Sequence, residues 1–218
     1  MSLEPGWLWP YLCAALLLSY VAYLGQIAIH NCVHCTLFSY RPANRWFGVA
    51  IGSLLLVGFE GWRAAHLMHH GYCNQERDPH RVDRPLIPYL LTHYYRITRA
   101  VWSPRKHLTA IAPPLVVAAG IIGWQATLGH AARGVFWVTV FWFIPVVVSH
   151  LLVAHFNYIT HVGLPPGRGR NTRDFTTGLW PVVNFFTFGF YRHAQHHLHP
   201  TAPVPPRVAS VTEPAGNG

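Results

Sequence analysis

The 218-residue chain is poor in charge: 11% of its residues are Asp, Glu, Lys or Arg, against roughly 25% in ordinary soluble domains. Acids are scarcest, with seven Asp and Glu in all. A disordered chain is excluded because 51% of the residues are apolar, more than a sequence that stays unfolded in water carries. Four cysteines are too few for a disulfide scaffold. No repeat of fixed period is present, and no groove-reading motif accompanies the +9 net charge, so nucleic acid is not an expected partner. What the chain has instead is long charge-free stretches, nine Trp and sixteen His.

The charge-free stretches measure out to a bilayer. Residues 7–29 carry no charge and reach about 34 Å as a helix, enough to cross a hydrocarbon core of about 30 Å. Stretches 108–128 and 134–156 are also charge-free, and the short link between them holds Gly129, His130 and Arg133, which predicts a membrane hairpin. Two shorter stretches, 46–59 and 175–191, read as re-entrant or interfacial segments. The expected fold is therefore an all-α integral membrane protein. It has three spanning helices, two segments that do not cross, and a histidine-rich cap, in one domain over 1–200 with a flexible tail at 201–218. A removable leader is not expected, because no basic residue precedes the first apolar stretch.

Orientation follows from the sixteen Lys and Arg. None precedes His30, ten lie in 31–107, one is Arg133, and five lie beyond 157, among them Arg168, Arg170 and Arg207. The excess of basic residues on cytoplasmic loops places 31–107 and the C-terminus in the cytoplasm and the N-terminus outside, with an inner or plasma membrane as the setting. Cys32, Cys35 and Cys73 are then expected to stay reduced. Residues 74–105, polar and aromatic, read as a pair of surface helices.

Nine of the histidines fall in four groups: His30 and His34 in HNCVH; His66, His69 and His70 in HLMHH; His161 closing NYITH; and His193, His196 and His197 in HAQHH. Spacings of three and four bring side chains to one face of a helix, so each group offers its imidazoles to one point. If 46–59 and 175–191 do not cross, all four groups lie on one side of the membrane at one depth. Nine imidazoles exceed the needs of one ion and divide naturally into two sets of four or five. No carboxylate lies inside any group, which argues against magnesium and calcium, while imidazole suits iron, copper, nickel and zinc.

HxxxH, HxxHH, a lone His after the second hairpin helix and a final HxxHH, in that order, resemble the integral-membrane fatty acid desaturase superfamily over about 30–200. The resemblance implies an O2-dependent oxidoreductase with two non-haem irons, acting on an acyl-chain or similar lipid C–H bond. It implies His30, His34, His66, His69, His70, His161, His193, His196 and His197 as ligands, with Asn157 contributing through water. It also implies a separate electron donor, such as a ferredoxin or rubredoxin-like protein with its reductase. Residues 191–201 and the NYxxHxG pattern from Asn157 to Gly163 are also similar to alkane and xylene monooxygenases, which share the iron site and hydroxylate. The first box, with Asn31 after His30, reads more like a desaturase. Only one span precedes that box, which leaves carotenoid ketolation beside hydroxylation as an alternative reaction. An alternative of another class is a non-catalytic membrane metal-binding protein.

Other residues carry weaker expectations. His150 shares a helix face with Asn157 and His161, about 16 Å deeper than His161. That depth makes it either a candidate for the substrate channel or a neutral His bonded to a neighbouring helix. His155 faces elsewhere and reads as structural, while His80, His93, His107, His130 and His199 read as surface residues. Cys32 and Cys35 make a CxxC, but on a helix Cys32 faces away from the His30/His34 pair. Glu60, Asp78 and Asp83 are candidate acceptors for ligand N–H groups, with solvent or an Arg as the competing partner. Trp7, Trp46, Trp102 and Trp180 read as an interfacial belt.

Overall fold

The computed structural model describes residues 8–167 and 171–202. Trp7, Arg168, Arg170, Arg207 and the tail beyond 202 lie outside the described residues. The described chain is helical, without strands apart from an isolated antiparallel bridge between Asp174 and Arg192.

Three helical runs are long and apolar enough to cross a membrane. Helix α1, Leu8–Val33, is uninterrupted over 26 residues, so it spans about 39 Å at the helical rise. Its Ser19 hydroxyl donates back to the Ala15 carbonyl at 2.7 Å, which satisfies a polar group inside an apolar helix. Two helices follow, α2 at Arg41–Leu54 and α3 at Phe59–Tyr72, and between them the chain bends by 106°. The reversal uses a left-handed Leu56 and lets the Val57 N–H return to the Gly52 carbonyl at 2.7 Å. This pair takes up the weak 46–59 stretch as a broken or re-entrant segment. Gly52 is required at the bend, because a Cβ there would lie 2.7 Å from the Val57 carbonyl oxygen.

Helix α4, Leu86–Ala100, is the one helix that lies wholly within 74–105, where the sequence predicts two. Residues 74–85 form turns instead. Asp78 accepts the backbone N–H groups of Asn74 and His80 there, both at 2.8 Å, and Pro79 and Pro85 offer no N–H to a helix.

The membrane hairpin consists of α5, Pro104–Thr127, and a run of 31 residues, Ala131–His161. Gly129, at φ +75°, makes the turn between them. The long run comprises α6 at Ala131–Val138, a single π turn at Thr139–Phe143 and α7 at Ile144–His161. Pro145, two residues past the π turn, cannot supply the N–H that an α-helix needs at that point, so the wider turn absorbs the mismatch. The 175–191 stretch becomes a short helix, α8 at Trp180–Phe186, and leads into α9 at His193–Leu198.

Helix α1 packs on α2 and α7, α4 on α7, and α5 on α2 and α6. The apolar core gathers Ile29, Val33, Val57, Phe59, Ile97 and Val146 where α1, the α2–α3 bend, α4 and α7 meet. The outer faces of α1, α5 and α6 carry exposed Leu, Val and Trp, including Leu16, Val116, Trp124 and Val135. Such an apolar exterior suits lipid.

Candidate metal centre

The four histidine groups meet at the ends of α1, α3, α7 and α9. His30 lies in the last turn of α1, and His34 directly follows the end of that helix. Helix α3 presents His66, His69 and His70, α7 ends on His161, and α9 begins at His193. That last helix is too short to hold itself, and Asp174 anchors its first turn by accepting the Ala194 N–H at 2.7 Å.

The nine imidazoles divide into five and four. His30, His34, His66, His70 and His196 bring ligand nitrogens within 4.8 Å of one another, as do His69, His161, His193 and His197. Within the first set, successive Nε2 atoms of His34, His66, His70 and His196 are 2.9, 3.0 and 3.1 Å apart. In the second, His193 Nε2 lies 3.0 Å from that of His161 and 3.1 Å from that of His197. Two nitrogens held at about 2.1 Å from one ion and 90° apart are about 3.0 Å from each other, against about 3.4 Å at the tetrahedral angle. Separations of this size are short enough for the nitrogens of each set to share one ion. His30 Nε2 and His69 Nε2 are sealed from solvent with no hydrogen-bond partner, the condition expected of a nitrogen whose partner is a metal. The histidine clusters are compatible with metal binding.

Outer contacts fix which nitrogen of each ring faces inward. His69 Nδ1 lies 3.0 and 2.9 Å from the two carboxylate oxygens of Asp78, and His161 Nδ1 donates to the Asn171 carbonyl at 3.1 Å. In both rings the proton sits on Nδ1 and Nε2 keeps its lone pair for a metal. His30 Nδ1 lies 3.3 Å from Asn31 Oδ1. The rings of His193, His196 and His197 are held well below the ordinary imidazole value, first by burial and then by neighbouring imidazoles, so they are neutral at pH 7. Burial raises Asp78, while the N–H groups of Asn74 and His80 oppose that shift. The two sets touch at His70 and His197, whose rings stack at 4.3 Å, and an open cleft of about 550 Å³ reaches both.

Of the three carboxylates weighed from the sequence, Asp78 alone meets a boxed histidine. Glu60 pairs with Arg45 at 2.6 Å, and Asp83 with Arg84 and Arg96 at 2.9 and 3.1 Å. Asn157 lies beside the centre with its amide nitrogen donating to the His80 carbonyl at 2.9 Å and to the Tyr89 hydroxyl at 2.5 Å. His150 stands away from both sets: Nε2 lies 3.0 Å from the Leu55 carbonyl oxygen and Nδ1 3.2 Å from the Gln26 side-chain nitrogen. It is not among the residues lining the large apolar groove of about 540 Å³, which opens between α2, α5 and the π turn beside Leu54, Pro114, Trp137, Phe141 and Trp142.

The surface assignment of three histidines is corrected. His80, His93 and His107 are buried. His107 folds back to the Ser103 carbonyl at 2.9 Å and stacks on Trp102, while His80 and His93 pair at 3.3 Å behind the four-histidine set. Their spacing carries no box pattern, so nothing in the sequence separated them from solvent-facing histidines. His130 and His199 are exposed.

Compared with known proteins, the chain matches the family model for fatty acid desaturase over residues 6–205. No curated protein matches it significantly. The matched span covers nearly the whole chain and all four histidine groups. The chain belongs to the fatty acid desaturase family, whose members are oxidoreductases that modify lipids, and the three apolar runs make it an integral membrane protein.

Proposed function

We propose that this member of the fatty acid desaturase family introduces a double bond into an acyl-chain lipid, using O2, a pair of irons held by the nine histidines, and electrons from a separate ferredoxin or rubredoxin-like carrier. The observation that carries this reading is the five-and-four division of the imidazoles in a chain of that family. When bound, the irons supply the O2 activation and C–H cleavage that no side chain here performs. The donor set is nitrogen throughout, with Asp78 bonded outward to His69, which suits iron and disfavours magnesium or calcium.

The protein's own contribution is position and exclusion of water. Asp78 and Asn171 hold His69 and His161 in the metal-facing tautomer, and Asp174 holds the helix bearing His193, His196 and His197. Phe156, Phe190 and Trp62 pack against His193, His30 and His66, which keeps the inner side of the centre dry. The apolar groove between α2, α5 and the π turn has the volume and chemistry for part of an acyl chain. The basic residues of 31–107 favour a cytoplasmic side for the centre, where a soluble acidic carrier would reach it.

Lipid profiling by mass spectrometry tests the reading, with the chain expressed beside a suitable reductase and compared with His69→Ala and His196→Ala. New unsaturated lipid from the wild type alone supports it. A hydroxylated or ketonic product would assign the alternative reaction that the similarity of 157–163 and 191–201 to monooxygenases favours. Unchanged lipids, with metal content equal in wild type and variants, would make the chain a non-catalytic metal binder.

A further inference from the structure

His80 lies outside the four boxes, yet few residues in the cap are held as firmly. Its N–H donates to Asp78 Oδ1 at 2.8 Å, and its carbonyl accepts from Asn157 Nδ2 at 2.9 Å and from the Tyr89 hydroxyl at 2.8 Å. Its Nδ1 lies 3.3 Å from Nε2 of the buried His93. The His80 ring is 4.8 Å from that of His69 and 5.9 Å from that of His66, so it borders one member of each set. Its Nε2 is sealed from solvent and has no partner.

This is the pattern of His69, whose Nδ1 is bonded to a neighbour outside the centre and whose Nε2 is buried and unmatched. A nitrogen placed so carefully and left dry requires something between it and the centre. Asn157 reaches His80 directly, its amide nitrogen donating to the His80 carbonyl and to the Tyr89 hydroxyl that also bonds that carbonyl. The four-histidine set is also one nitrogen short of its neighbour, and His80 is not one of its four mutually close nitrogens, so a water is the group that would join them.

Resting on the metal-pair reading above, we propose that His80 is a tenth nitrogen of the centre. Through Nε2 it holds a water bound at the His69, His161, His193 and His197 set, while His93 fixes its ring and Asn157 fixes its backbone.

The test is a titration of the full-length chain in nanodiscs with Co2+, read by bound metal and by the visible d–d spectrum. Wild type and the exposed-site control His130→Ala are expected to bind two Co2+ per chain. His80→Ala is expected to keep one tight Co2+ and to bind the second about 10- to 100-fold more weakly, with displaced d–d bands. His80→Gln, which preserves the backbone contacts and a polar end, covers the case in which the alanine variant does not fold, and it is expected to weaken the second Co2+ less and still move its bands. Two Co2+ with wild-type affinity and spectrum in either folded variant overturn the role of His80 alone. A wild type that binds fewer than two overturns the metal pair itself, and this role with it.

Discussion

The two halves of the histidine cluster are held by different physics. Around the five-histidine set the contacts are mainly aromatic: Trp62 lies parallel to His66 at 5.0 Å, Phe190 stands edge-on to His30 at 5.2 Å, and the one outer polar side chain described on a ring is Asn31 at 3.3 Å. Around the four-histidine set, where Phe156 also stands edge-on to His193 at 4.7 Å, polar and directional contacts are added, from a buried carboxylate on His69 and a backbone carbonyl on His161. A carboxylate behind an imidazole raises its basicity and fixes its tautomer, whereas aromatic packing sets only its place. The four-histidine half is therefore the one expected to depend on a single outer residue for metal binding, and the five-histidine half the one expected to tolerate loss of an outer contact.

Loss of a ligand should abolish that distinction. His69→Ala and His196→Ala, one from each set, are expected to lower product formation by more than about 100-fold, beyond the range typical of an outer partner, as measured by lipid mass spectrometry. Asp78→Asn should sharpen it, weakening metal at the four-histidine set by about 10- to 100-fold while the other set stays occupied, as measured by metal content after graded chelation. Gly52→Ala acts on both sets together, because the added Cβ meets the Val57 carbonyl at the bend that carries α3. A loss of about 1–3 kcal/mol in thermal or denaturant unfolding is expected. Asn31→Ala should weaken metal at the five-histidine set by less than about 10-fold, and an effect equal to that of Asp78→Asn would break the comparison.

Acid should act on the metal-free cap as a whole. Burial holds His80 at about 4 and His34 at about 2, below the ordinary 6.5. The unfolded chain thus binds protons that the folded chain refuses. Stability is complete well above pH 6.5 and is lost as pH falls through 6.5, down to about 4 for His80 and on towards 2 for His34, a trend that thermal unfolding of the apoprotein across that window should show.

Legibility differed between the parts of the molecule. The spans could be read closely because lipid imposes a length and a lack of charge on every residue of a crossing helix; 108–128, for example, appears as Pro104–Thr127. The boxes could be read because i, i+3 and i+4 spacing converts directly into a shared helix face. Residues 74–105 could not, since the choice there between helix and turn rests on Asp78 capping backbone N–H groups from a position no periodicity marks. Cys73, whose sulfur lies 3.4 Å from His161 Nδ1, and Asn171 were equally hidden, because they act across 88 and 10 residues of chain.

By itself, then, the sequence determined that the chain is helical, that it crosses a membrane, and which nine histidines are candidate ligands, since each of those facts is local and periodic. Only the tertiary structure decided which histidines belong to which set, that Asp78 and not Glu60 or Asp83 stands behind one, and that His80 is buried beside both. Those outcomes depend on how α1, α3, α7 and α9 converge. Convergence is set by bends such as the one at 55–58 and by long-range hydrogen bonds, and neither leaves a repeating mark along the chain.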